Sequence, residues 1–206
     1  MGVTPGARVH GRLNLPALEV NYVRTNAAAR IPLLVGGTTD LDCGTATNNV
    51  ERQKQVAFTM SVILYVTRFI ARKADNLTKL EDLKGKTVVA EVNTLGLKYI
   101  TELNTARNLG INIRGVKGLR EGLPMVESGE AVAFVQVDAL LAGAAANHAN
   151  PELWQISSDA LSPSEPAGFM LRKDDPVAST INSAAYSATD YQSRMPTPQI
   201  TVCGKP

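Results

Sequence analysis

The chain has 206 residues, 44% of them hydrophobic and 19% charged, an ordinary globular composition that suffices for one large domain or two small α/β lobes. Its net charge of +2 is spread over interleaved bases and acids, and only 5% of its residues are aromatic, which argues against a nucleic-acid stripe or a base-stacking platform. The histidines, His10 and His148, and the cysteines, Cys43 and Cys203, form no cluster at metal-ligand spacing, so neither a metal site nor a His-based triad is expected.

Residues 1–17 read as an irregular leader with no apolar core of a signal peptide, and no later run reaches transmembrane length. Residues 18–23 alternate like a strand. Thr25 or Asn26 is positioned to cap a helix through Leu34, with Gly36 and Gly37 ending it. A short strand is expected over 41–43, a long β-rich run over 62–71, and one helical turn over 80–84. A regular alternation follows: strands at 87–90, 111–116, 131–136 and 153–157, and helices at 94–109, 120–128 and 139–149. Strands and helices alternating at this spacing predict right-handed βαβ units and a mostly parallel sheet. A further strand is expected over 167–172, and Asp175-Pro176 opens a helix to about residue 189. The β-rich runs at 62–71 and 167–172 flank the central block. That arrangement suits one lobe inserted into another, with hinge closure over a ligand.

The most informative stretch is 39–58, TDLDCGTATNNVERQKQVAF. It reads as a short apolar strand, a hydroxyl-rich turn, and one helical turn that carries Arg52. Hydroxyls, turn amides and a guanidinium all donate hydrogen bonds to a carboxylate, and arginine adds a planar fork that matches both oxygens. The segment is therefore a candidate receptor for a small acid. Simpler roles stand beside this one. Arg52 can pair with Glu51, Thr45 and Thr47 can shape the turn, and Thr94 and Asp138 can act as helix N-caps. Asp174-Asp175 reads as helix-start chemistry, Trp154 as packing, and Arg68 and Arg72 as solvated edge charges. A disulfide between Cys43 and Cys203 is open.

Several runs together resemble the family 3 extracytoplasmic solute-binding proteins of ABC importers, with the glutamate/aspartate-binding subgroup the most similar. They are RIPLL at 30–34, residues 43–58 with NNVERQKQ at their centre, LEDLKGK at 80–86, ESG at 127–129 with AVAF at 131–134, DALLAG at 138–143 and MLRKDDP at 170–176. The resemblance covers about 18–189. It implies an α/β fold of the periplasmic-binding-protein type II, two lobes joined by two crossing strands with an amino acid bound between them. Lobe one would be incomplete, formed by 18–68 and 169–206, and lobe two would be 69–168. Carried over by position, Arg52 would grip the ligand's α-carboxylate, Thr45 and Thr47 would add donors, and Thr59 and Ser61 would lie where a strand leaves the site. Thr94 would open a helix whose N-terminus faces the same carboxylate. A periplasmic location, a membrane permease as partner and no cofactor are implied as well.

The chain also departs from that pattern. The family's first strand and helix, which supply an arginine for the ligand's side-chain carboxylate, have unrelated residues in their place. Val137 stands where the family holds the ligand ammonium with a carboxylate, and Asp138 compensates only if that strand end is rotated or shifted. Leu119 replaces a histidine, Asn93 a glycine, and Phe169 the usual partner of Cys43. Three functions follow as expectations. The first is a receptor for a polar or acidic amino acid. The second is a dehydratase-type enzyme on the same fold, using Glu91 or Glu121 as its acid. The third is a receptor remnant that binds little unless a partner, for example a second copy, completes lobe one.

Overall fold

A computed structural model describes residues 21–61 and 63–173. In chain order its main elements are α1 (Arg30–Val35), β1 (Leu41–Thr47), α2 (Val50–Gln53), β2 (Val56–Phe58), β3 (Ile63–Tyr65), β4 (Thr67–Arg72) and β5 (Thr87–Glu91). There follow α3 (Leu95–Ala106), β6 (Asn112–Val116), α4 (Leu119–Glu127), β7 (Ala133–Val137), α5 (Asp138–Ala146), β8 (Trp154–Ile156) and β9 (Glu165–Arg172). The chain divides into two compact units. One comprises residues 21–25, 29–64 and 166–173 among those described, and the other residues 26–28 and 65–165.

The first unit is built on a small sheet in which β9 lies between β1 and β2 and runs antiparallel to both. β3 also pairs with β9. Leu41 faces Leu171 and Thr47 faces Ala167, but the register slips between Asp42 and Ala46. That irregularity inserts a bulge into β1. The core of this unit is small: Leu34 from α1, Ala46, Val56 and Met170, with Ile31 and Phe58 packed against them.

The second unit carries a five-stranded sheet in the order β6-β5-β7-β4-β8. β5 is parallel to β6 and β7, whereas β4 is antiparallel to both of its neighbours. Strand alternation sends Phe69, Ala71, Val88, Ala90, Ala133 and Val135 to one face, where Ile100 of α3 covers them. Ile70, Val89 and Phe134 go to the other face, under Val126 of α4 and Leu141 of α5. Burial on both faces is why the centres of β5 (Val88 to Ala90) and β7 (Ala133 to Val135) read as apolar runs rather than alternating ones.

Most expected elements are present, and several differ in their ends or in their pairing. Of the strand expected over 18–23, residues 18–20 lie outside the described residues, and 21–23 form none, with Tyr22 and Val23 73% and 51% exposed. α1 starts at Arg30 because Asn26 spends its side chain on the nearby Ala28 amide at 3.1 Å, leaving Ala29 as an N-cap without a side-chain bond. The 62–71 run is broken at Val66, since β3 pairs in one sheet and β4 in the other. Val66 itself bonds Asp138: its carbonyl accepts from the Asp138 amide at 2.9 Å. The short 41–43 strand extends to Thr47, because the bulge lets β1 resume its pairing with β9. The expected mostly parallel sheet is also qualified by β4, the one strand that opposes its neighbours. The leader, the helix from 175, Asp174-Asp175 and Cys203 fall outside the described residues, so pairing of Cys43 with Cys203 lies outside them too.

Candidate functional site

In the first unit, Asn49 is the N-cap of α2, and its Oδ1 accepts from the Arg52 amide at 2.9 Å. This bond fixes the first turn and with it the root of Arg52. The guanidinium then folds back, and its Nη1 donates to the Thr47 carbonyl at 3.1 Å. Arginine and turn are thereby locked together at the end of β1. The Asn48 amide donates to the Pro166 carbonyl at 2.8 Å, which ties the same turn to β9. Glu51 pairs with Lys54 at 2.8 Å on the exposed side of the turn. Of the simple pairings open to Arg52, with Glu51 or with a neighbour, the turn shows one with the neighbouring Thr47 carbonyl.

Thr47 is 5% exposed at the strand end, and Thr45 lies in the same strand. Thr59 is buried. Its Oγ1 accepts from the Phe169 amide at 3.0 Å and donates to the Met60 carbonyl at 3.0 Å, so the hydroxyl fastens the chain leaving β2 to β9.

Behind the turn lies a polar cluster. Asp42 is 8% exposed, and its Oδ1 is 3.9 Å from Nε of Arg30, too long for a direct hydrogen bond. Among the described residues, Oδ2 of Asp42 and Nε of Arg30 are both buried without a hydrogen-bond partner. A Cβ at Gly44 would stand only 2.5 Å from Nη1 of Arg30, so the guanidinium packs flat against that glycine. Burial pushes the Asp42 carboxyl above the usual carboxylate range; Arg30, the Gly44 amide and Arg52 oppose the shift without cancelling it. Sequence reading passed over this cluster. Its signal was present: Asp42 is an acid inside a strand, and Gly44 interrupts that strand two residues later.

In the second unit, Thr94 is the N-cap of α3. Its Oγ1 accepts from the Leu97 amide at 3.2 Å and donates to the Glu91 carbonyl at 2.7 Å. Asp138 does not occupy the cap of α5. Val137 does, and Asp138 is the first helical residue, its Oδ1 accepting from the amides of Ala139 at 2.8 Å and Val66 at 3.4 Å. Arg68 and Arg72 are not simply solvated. Arg68 donates to the Ser157 and Ser158 carbonyls, and Arg72 pairs with Asp75 at 2.9 Å. Trp154 packs in the core and meets His148 edge-to-face at 5.2 Å. Tyr99, also unnoticed in the sequence, donates to Glu165 at 2.9 Å. Among the described residues no group of acids, histidines and cysteines is placed to hold a metal ion, and no helix is long and apolar enough to cross a membrane.

Residues 7–191 match the model of the bacterial extracellular solute-binding proteins, family 3. The chain is 41% identical over 167 residues to the L-glutamate/L-aspartate-binding protein of Pseudomonas aeruginosa, covering 81% of this chain and 55% of that protein. It is 40% identical over 168 residues to the glutamate/aspartate import solute-binding protein of Escherichia coli K12, covering 82% of this chain and 55% of that protein. The chain thus spans little more than half the length of these relatives. Among solved structures, a mutant of the arginine-binding protein of T. maritima superposes with a TM-score of 0.75 at 26% identity, covering 92% of this chain and 79% of the other. The GluR0 ligand-binding core, solved with L-glutamate, superposes with a TM-score of 0.71 at 21% identity, covering 92% of this chain and 83% of the other, a likeness of fold.

Proposed function

Because the chain belongs to the bacterial extracellular solute-binding proteins of family 3, we propose that it captures an acidic amino acid outside the cytoplasm and delivers it to the membrane permease of an ABC importer. Its fold is that of the type II periplasmic binding proteins. We take residues 29–64 with 166–173 as part of lobe one and 65–165 as lobe two. The observation that carries the reading is Arg52, whose fork is held on the Thr47 carbonyl by a capped turn. A guanidinium held in this way meets a carboxylate with little entropy left to lose.

In this reading Arg52 grips the α-carboxylate, and Thr45 and Thr47 contribute donors from the end of β1. Thr59 supports them by holding β2 against β9. Thr94 presents the N-terminus of α3, twelve residues long, to an anion. Asp138 takes the ammonium in place of the absent carboxylate at Val137. Binding rather than turnover suits the state of Glu91 and Glu121, the acids a dehydratase would draw on. Glu91 accepts from Nε2 of Gln136 at 2.8 Å, and Glu121 accepts from the Lys117 amide at 2.7 Å.

A ligand that binds only the folded chain raises its melting temperature by mass action. We expect millimolar L-glutamate or L-aspartate to do so, and Arg52→Ala to abolish the rise. A melting curve that none of the twenty amino acids moves would overturn the receptor reading. Conversion of prephenate to an aromatic product would replace it with the enzymatic one.

A further inference from the structure

We infer that Glu91 is a specificity residue of the receptor: its carboxylate, set at the end of β5 and oriented by Gln136, takes the ligand's ammonium together with Asp138, and so admits an acidic amino acid while excluding the same acid without its amino group. The inference rests on the receptor reading. In the sheet of the second unit, β5 lies between β6 and β7 and is parallel to both. The chain leaving β5 passes through α3 on one face to reach β6. The chain leaving β7 enters α5 on the other face and returns as β8, beyond β4. The two paths therefore part between the ends of β5 and β7. Open α/β sheets receive ligands at such a point, outside the carboxyl ends of their strands.

Glu91 ends β5 and Val137 ends β7. Ala90 pairs with Val135, which brings Glu91 level with Gln136. Gln136 is 5% exposed and joins the two strand ends. Its Oε1 accepts from the Val137 amide at 3.0 Å, and its Nε2 thereby faces Oε2 of Glu91, to which it donates at 2.8 Å. The backbone of Glu91 is held as well, since its carbonyl accepts from the Thr94 hydroxyl at 2.7 Å. Gly118, the N-cap of α4, flanks the carboxylate, where a Cβ would stand 3.8 Å from both oxygens. Glu91 is half-buried, and an amide orients such a carboxylate while leaving its negative charge in place. Val137 offers the ligand no polar side chain, and Oδ1 of Asp138 already accepts two amides. An ammonium has three donors, so a second acidic acceptor at this edge completes its shell. The same carboxylate repels a dianion that brings no ammonium, and one charge thus both binds and discriminates.

The experiment compares the whole chain with its Glu91→Gln variant, which keeps an acceptor for Gln136 and removes only the charge. Calorimetry reads two ligands: L-glutamate, and glutarate, the same dicarboxylate without the amino group. The unaltered chain should prefer glutamate. Glu91→Gln should weaken glutamate about tenfold or more, as loss of a hydrogen bond to a charged group does, and should hold glutarate as tightly as before or more so. Equal glutamate affinities in the two chains overturn the inference. So does a variant that binds glutamate more tightly, because Glu91 would then face a ligand carboxylate. A variant that loses both ligands in equal proportion overturns it too, because the residue would then serve the fold of the site and not the ammonium. Each of these results leaves the receptor reading standing. If the unaltered chain takes up no glutamate, that reading fails and the inference falls with it. If Glu91→Gln does not fold, NMR of the unaltered chain decides instead. The side-chain carboxyl carbon of Glu91 should shift on saturation with L-glutamate, and by more than that of Glu121, which is bonded to the Lys117 amide. A Glu91 resonance that stays fixed overturns the inference.

Discussion

Arg52 illustrates how much a single side chain owes to its backbone. Its charge is common to lysine, but its fork is not. Arg52→Lys should keep the turn folded, since the Asn49 cap bonds the backbone amide of residue 52 and not its side chain. On the proposed role of Arg52 it should nevertheless weaken glutamate about tenfold, because lysine offers no bidentate fork to a carboxylate. Calorimetry of the variant beside the parent chain measures this, and equal affinities would show that only charge matters there. Arg52 and the two threonines before it were legible in the sequence because hydroxyls, a turn and an arginine fall within eight residues. Asp42 was legible only as an acid inside a strand run with a glycine two residues on. Nothing in a run of amino acids says that an acid at a strand position faces inward, and its partner Arg30 comes from a separate element. The role of Arg68 was missed for the same reason, since the Ser157 and Ser158 carbonyls it bonds are brought near only by the folded chain, whereas Arg72 pairs with Asp75 only three residues on.

At the scale of elements, chemistry local in sequence was easier to read than chemistry between elements. Thr94 was foreseen as a cap, and its hydroxyl spans the Glu91 carbonyl and the Leu97 amide. Thr94→Ala should therefore cost about 1 kcal/mol of stability, and Thr94→Ser much less. Urea denaturation of both variants gives the difference directly. The order of strands and helices from 87 to 157 was also legible, since strand runs and helix-ending glycines punctuate it. What was not legible is pairing. The break at Val66 splits a run that is uniformly β-prone, and it exists because the two halves join different sheets. The orientation of β4 is likewise decided by β7 and β8, partners far along the chain.

For the molecule as a whole, alkaline pH offers a test of packing. The Tyr99 phenol is pushed up to about 12 from an ordinary 10.0, first by burial and then by the hydrogen bond it donates to Glu165. A folded-state pKa raised above the unfolded value means the protonated phenol favours folding. That contribution is whole below pH 10 and is lost as pH rises through about 12. Urea midpoints taken across this window should fall more steeply for the parent chain than for Tyr99→Phe; parallel curves would show that the phenol does not carry the effect. The interior position of β4 has a different consequence, one of time. β4 is synthesised first among the strands of its sheet, yet it takes its hydrogen bonds from β7 and β8, through pairs such as Phe69 with Val135 and Ile70 with Ile156. Phe69, Ile70 and Val135 are fully buried in the finished unit, and Ile156 is partly so. On an emerging chain they must wait, exposed, until most of the second unit has been made, and contacts so distant in sequence form slowly. In pulse-labelled hydrogen exchange during refolding, the amides of β4 should gain protection with those of β7 and no earlier than those of β5 and β6. Nascent chains that stop short of β7 should be the ones that aggregate.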